Sequence, residues 1–163
     1  MPANGFEFNE HWDLPGERVE DVYAVLADGR LLPDWWKGVY LEAVPLSEEK
    51  EPRVGAQLMA RARGALPYHL RFKLEAVELV PNRKIVVRTE GDFIGLWTAV
   101  LRQETGGVHV DLNWKVIVER PILKLLSPLL RPAFAWNHRW TTPRGEQGLK
   151  AYLSEKRKLS TAH

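Results

Sequence analysis

Phe6, Phe8 and Trp12 interleave with Glu7, Asn9 and His11, which is the period-two alternation of a half-buried strand. Pro15-Gly16 interrupts the alternation, and Val19, Val22, Tyr23, Val25 and Leu26 then recur at helical spacing up to Asp28-Gly29. This predicts a short amphipathic helix. The segment Leu31–Trp36 is too short and broken for more than one helical turn, which begins near Pro33 and tucks two Trp rings inward. A strand from Val39 to Pro45 follows, and the polar, Pro-containing stretch from Ser47 to Arg53 reads as an exposed loop.

From Gly55 to Glu119 the pattern becomes a run of strands with no helix between them, as in an antiparallel meander. The expected strands are 55–64, 67–80, 84–91, 93–104 and 108–119, joined at Gly64, Pro81-Asn82, Gly91-Asp92 and Gly106-Gly107. The last strand has the clearest register. Val108, Val110, Leu112, Trp114, Val116 and Val118 point one way; His109, Asp111, Asn113, Lys115 and Glu119 point the other. Likewise Tyr68, Leu70, Phe72 and Leu74 face in while His69, Arg71, Lys73 and Glu75 face out. After Pro121 a long helical segment runs to about Lys158, with Leu126, Leu129, Leu130, Ala133, Trp136, Trp140, Leu149 and Tyr152 on its apolar stripe. Pro128, Pro132 and Pro143 predict that it is kinked or split.

A sheet of six or seven strands with one dry face needs a cover, and the C-terminal helix is the one long apolar segment able to supply it. The expected class is therefore α+β, one domain over residues 1–163, with the tail after about 158 disordered. The 23 basic and 21 acidic side chains are interspersed, leaving a formal net charge of +2 and no stripe to neutralise phosphates, so nucleic acid is not an expected partner. No uninterrupted apolar run is long enough for an integral membrane segment, and the first residues carry neither the basic start nor the apolar run of a secretory signal. A cytoplasmic monomer or homodimer is the expectation. With no Cys, disulfides, thiolate ligands and a Cys nucleophile are excluded. The seven Trp residues are the unusual feature, and they build either a core or the wall of a pocket.

The order strand, two helical pieces, five or six strands and a long helix resembles the helix-grip (SRPBCC, START-like) superfamily, which includes START domains, the birch-pollen-allergen fold and the polyketide cyclase/dehydrase proteins. The motifs that carry the likeness are Trp35-Trp36 after Pro33, Gly91-Asp92-Phe93 leading to Gly95 and Trp97, and Trp136-Asn-His-Arg-Trp140 followed by Gly145-Glu-Gln-Gly-Leu149. The resemblance covers nearly the whole chain. It implies a curved antiparallel sheet wrapped around the C-terminal helix, with a tunnel for a lipid, polyketide or other apolar molecule between them. Pro143, inside the helix, and Trp97, at a strand position where a smaller residue would leave more room, depart from that pattern.

Candidate wall residues are Trp12, Trp35, Trp36, Leu70, Phe72, Trp97, Leu112, Trp114, Trp136 and Trp140, since rigid aromatic surfaces hold apolar ligands at little entropic cost. The alternative for each is ordinary core packing. Asn137 and His138 lie on the covering segment; Asn137, on the stripe of Ala133 and Trp140, is the better placed to orient a ligand's carbonyl or hydroxyl or to hydrogen-bond the sheet. Glu10 shares inward parity with Phe8 and Trp12, so its carboxylate is either an acid/base group or a strand-end residue reaching water. Catalytic candidates are thus Glu10, Asn137 and His138. The five His residues show no ligand spacing, and His11, His69 and His109 share outward parity, so neither a metal nor another cofactor is expected.

The leading expectation is a non-catalytic binder or carrier of a hydrophobic small molecule. A cyclase- or dehydratase-type enzyme is the alternative. A third reading is a protein-interaction module or co-chaperone using Ile94, Leu96 and Val100 on the outer sheet face.

Overall fold

In a computed structural model, the chain is described over residues 5–46, 52–63, 69–118 and 127–161; for 5, 6, 93, 117, 118, 127–138, 160 and 161 this is the course of the backbone alone. Strand β1 (Gly5–Pro15) is followed by helix α1 (Val19–Leu26), a 3-10 turn (Gly29–Leu31) and the single-turn helix α2 (Leu32–Trp35). Strands β2 (Tyr40–Pro45), β3 (Gln57–Arg63), β4 (His69–Val80), β5 (Lys84–Gly91), β6 (Phe93–Glu104) and β7 (Gly107–Val118) follow, and helix α3 (Ser127–Thr161) closes the described chain. The fold is the helix grip: an antiparallel sheet in the order β1-β7-β6-β5-β4-β3-β2, curved around the C-terminal helix.

Alternation fixes the strand faces as the sequence predicts. On β7, Val108, Val110, Leu112 and Val116 are buried while Lys115 is exposed; on β4, Phe72 and Leu74 are buried and Arg71 is exposed. The outer face of β6 leaves Ile94, Leu96 and Val100 exposed. Tyr68, Glu119 and Leu126 lie outside the described residues, as does the start of the C-terminal helical segment at Pro121.

The expected split of that segment is a point of correction. It is one helix of 35 residues, with Pro128, Pro132 and Pro143 inside it. Pro128 sits at the first turn, where the missing N–H has no intrahelical partner to lose. Pro143 is on the exposed side, so the carbonyl that it leaves without a helical donor faces water. The opposite side presents Thr141, Thr142, Gly145, Leu149 and Leu153, all buried, at the three- and four-residue intervals of one helix face. Burying Leu149 and Leu153 contributes roughly 1.5–3 kcal/mol each.

At the far end of α3, Arg157 Nη1 lies 2.8 Å from Glu17 Oε1 and donates to the Gly16 carbonyl at 3.1 Å, tying the helix to the chain just after β1. Burial pushes the Glu17 carboxyl above its ordinary range; Arg157 acts against that shift and Asp21 adds to it. Among the described residues, no helix is long and apolar enough to cross a membrane.

Candidate ligand cavity

Two clusters of buried side chains share the interior. One joins Trp12, Leu14, Val22, Val25, Trp35, Leu112, Leu149 and Leu153; the other joins Leu58, Ala60, Ala62, Phe72, Leu74 and Val116. Between them lies a cavity of about 150 Å³, walled by residues of both. Strand β1 contributes Phe8, Glu10 and Trp12 at alternate positions, β7 contributes Leu112 and Trp114, and β6 contributes Trp97. Leu58, Leu74, Ala76, Val87 and Thr89 come from β3, β4 and β5, and Thr141 and Thr142 from α3.

The end under α3 is an aromatic corner. The Trp35 and Trp36 rings stack 5.2 Å apart at 22°, and Trp12 meets both edge-on, at 6.3 Å and 85° and at 6.0 Å and 76°. Trp36 also leans on Tyr40 at 5.3 Å, and burial raises the Tyr40 phenol above its ordinary pKa, so it stays protonated. The helix reaches this corner because it carries glycine at two positions. A Cβ at Gly145 would lie 2.7 Å from the Trp36 ring, and one at Gly148 would fall on the Trp35 carbonyl oxygen. Trp36 Nε1 donates to the Thr141 carbonyl at 3.0 Å, so the ring that packs under the helix is also hydrogen-bonded to it.

Polar groups are few in this wall. Thr89 is 3% exposed, and its hydroxyl has no hydrogen-bond partner among the described residues; the same holds for the indole nitrogens of Trp12 and Trp35. A buried hydroxyl left unpaired costs about 1–3 kcal/mol, so a guest bearing an acceptor or donor near Thr89 recovers part of that penalty. Glu10, half-buried, faces the same space. At one end the lining includes Asp28, Arg30, Pro45, Pro52 and Arg53; the Arg30 guanidinium forks onto the Asp28 carboxylate at 2.8 Å through both Nε and Nη2.

The cavity brings together Trp12, Trp35, Trp36, Trp97, Leu112, Trp114 and Glu10 of the residues expected from the sequence. It does not include Leu70, Phe72 or Trp140. Phe72 is on the inner face but behind the wall, edge-on to Tyr40 at 6.2 Å, and Leu70 packs against the same cluster. Trp140 is half-buried beside the wall, with the Arg144 guanidinium 3.7 Å over its ring. The side chains of Trp136, Asn137 and His138 lie outside the described residues. Sequence reasoning missed Tyr40, Thr89, Thr141 and Thr142. For Thr89 the signal was present, since it shares parity with Ile85 and Val87 on β5; for the threonines it was their place one helical turn before Gly145.

A family model described as polyketide cyclase / dehydrase and lipid transport matches residues 17–140. No curated protein matches the sequence. Among solved structures, protein TTHA0849 of Thermus thermophilus is similar with a TM-score of 0.77 and 20% identity, over 93% of this chain and 99% of that one. The di-domain ARO/CYC StfQ of the steffimycin biosynthetic pathway is similar with a TM-score of 0.69 and 15% identity, over 96% of this chain and 53% of that one. A point mutant of Thalictrum flavum norcoclaurine synthase, in complex with a transition-state analogue, is similar with a TM-score of 0.61 and 12% identity, over 94% and 96% of the two chains. At these identities the likeness is one of fold.

Proposed function

The chain belongs to the polyketide cyclase / dehydrase and lipid transport family, and from that premise we propose that it binds a hydrophobic small molecule between the sheet and α3. The observation that carries this reading is the cavity itself: a mainly apolar, Trp-lined space in which the Thr89 hydroxyl has no partner among the described residues. Its volume sets the scale of the guest. A dry apolar cavity of about 150 Å³ holds a benzene-sized molecule, whereas drug-sized ligands occupy roughly 300–1,000 Å³. A single-ring compound fits as the structure stands; a lipid or polyketide chain needs α3 or the end near Arg53 to give way.

Binding is tested by native mass spectrometry of the freshly purified chain and by Trp fluorescence during titration with single-ring and multi-ring aromatics. Saturable one-to-one binding with a shift in Trp emission is expected. A chain that comes free of any guest and leaves its emission unchanged with every probe removes the proposal.

A second reading, a cyclase- or dehydratase-type enzyme, is favoured by one observation: Glu10 places a half-buried carboxylate beside Trp12 in a mainly apolar wall. Glu10→Gln separates the two. Binding kept with turnover lost supports catalysis, and binding and any turnover both kept assigns Glu10 to the wall alone.

A further inference from the structure

On the outer face of the sheet, away from the cavity, β1 and β7 set four titratable side chains in a square. The antiparallel register pairs His11 with Asp111 and Asp13 with His109, so histidine and aspartate alternate around it. Asp111 Oδ1 lies 2.5 Å from His11 Nδ1 and 2.9 Å from His109 Nε2, while Asp13 Oδ1 lies 2.7 Å from His109 Nδ1. The two imidazoles are stacked, 5.8 Å apart at 22°.

The hydrogens do not suffice for this arrangement when both rings are neutral. A neutral imidazole has one N–H and one lone pair, yet both nitrogens of His109 face carboxylate oxygens. If Nδ1 donates to Asp13, the Nε2 lone pair points at Asp111, and a cation is required between them. Either a second proton supplies it or a metal ion does.

We propose that His11, His109 and Asp111 form a binding site for a borderline divalent cation of the Zn2+, Co2+ or Ni2+ type, with Asp13 as a positioning residue. One ligand atom from each of the three lies within 4.8 Å of the others. Tetrahedral zinc with bonds of about 2.0–2.1 Å to nitrogen and oxygen holds its ligand atoms about 3.3 Å apart. Small side-chain rotations on a fixed ladder therefore admit the ion. The donor set, two imidazoles and one carboxylate, suits these cations and not the all-oxygen cages of calcium and magnesium. Asp13 acts through His109: by accepting from Nδ1–H it fixes the tautomer that leaves the Nε2 lone pair for the metal. Side-chain exposures of 67% for His11 and 40% for Asp111 leave the ion an approach from solvent and room for a water ligand.

No ligand spacing shows along the sequence, because His11 and Asp111 are one hundred residues apart and meet only through strand pairing. The next residues on β1, Glu10 and Trp12, line the cavity, so an ion here also pins one wall of it.

The test is calorimetric titration of the full chain, carrying no affinity tag and stripped with chelator, with Zn2+, together with the visible spectrum of the Co2+ form. One ion per chain is expected, with a tetrahedral Co2+ spectrum. His11→Ala and His109→Ala each abolish binding, and His69→Ala, on another part of the sheet, leaves it unchanged. Asp13→Asn weakens binding about 10–100-fold, the usual effect of losing a carboxylate behind a ligating histidine, at an unchanged melting temperature of the metal-free protein; Asp13→Glu recovers part of the loss. His11 is exposed, so its Ala variant folds; His109→Gln is the second variant for His109. Failure to bind one Zn2+ per chain up to millimolar concentration, or binding that survives the loss of His11 and His109 together, overturns the proposal. In the first case His109 is an imidazolium held by two carboxylates.

Discussion

Gly148→Ala tests the seating of α3 on the Trp corner, because local and tertiary effects have opposite signs there. In a helix interior, Ala is ordinarily more stabilising than Gly by about 1 kcal/mol. Here the added methyl falls on the Trp35 carbonyl oxygen, a backbone atom of a short helix that cannot rotate away. Overpacking of this kind costs typically about 1–3 kcal/mol, occasionally more. The displaced helix also strains the bond from Trp36 Nε1 to the Thr141 carbonyl, a contribution of about 1 kcal/mol. Subtracting the propensity gain leaves a net destabilisation of about 2 kcal/mol, or roughly 4–8 °C in Tm for a chain of this size. Urea denaturation with a thermal melt measures it. Gln147→Ala, on the exposed face of the same turn, is the control and is expected to change stability by less than about 0.5 kcal/mol. At Gly145 the added methyl meets the Trp36 ring and the edge of Trp12, which are side chains able to shift, so Gly145→Ala is expected to cost less. If Gly148→Ala matches or exceeds the stability of the unmodified chain, the close approach of α3 is refuted.

Trp97→Ala is expected to enlarge the cavity at a cost of about 2–3 kcal/mol, at or below the low end for removing an aromatic because Trp97 is only half-buried, and to shift binding from single-ring toward multi-ring probes in fluorescence titrations; an unchanged size preference contradicts its place in the wall. Trp36→Phe keeps an aromatic ring but removes the five-membered ring of the indole together with its donor to Thr141, so the lost hydrogen bond, about 1 kcal/mol, adds to the packing lost against Trp12, Trp35 and Tyr40 in urea denaturation; no loss means that the bond is not held in solution. Glu17 gives a pH dependence. Its folded pKa is raised, mainly by burial, so the folded state holds the proton to a higher pH than the unfolded chain does, and stability falls as pH rises through the window above 4.5. The stability of Glu17→Gln relative to the unmodified chain is therefore expected to rise as pH increases above 4.5, and a difference that narrows with rising pH reverses the assignment.

The strand faces were legible because each is written in a few consecutive residues: β7 alternates without a fault from Val108 to Val116, and its inner face is the dry one. Parity gives the face of a residue but not its position along a curved sheet. Phe72 and Leu112 have the same inward parity, and only Leu112 reaches the cavity; Phe72 is covered by Tyr40. Pro128 and Pro143 do not split the helix because of their places in it, at the first turn for Pro128 and on the wet side for Pro143, which a count of lost helical bonds does not register. The Gly145 and Gly148 pair was visible as a motif, but its reason, room for the Trp35 backbone and the Trp36 ring, lies in a segment more than a hundred residues earlier. The square of His11, Asp13, His109 and Asp111 was the least legible, because it exists only through the register of the first and last strands.

That pairing of first strand with last also bears on how the chain is made. Of the two strands that β7 joins, β6 has just preceded it, but β1 has waited through the synthesis of nearly the whole sheet, with Phe8 and Trp12 unsheltered. Pairings this distant in sequence are formed late and slowly. On the ribosome, the growing chain thus carries an open, sticky edge until residue 117 has emerged and been zipped onto residue 5, and the aromatic wall of the cavity leaves water only when α3 follows to cover it.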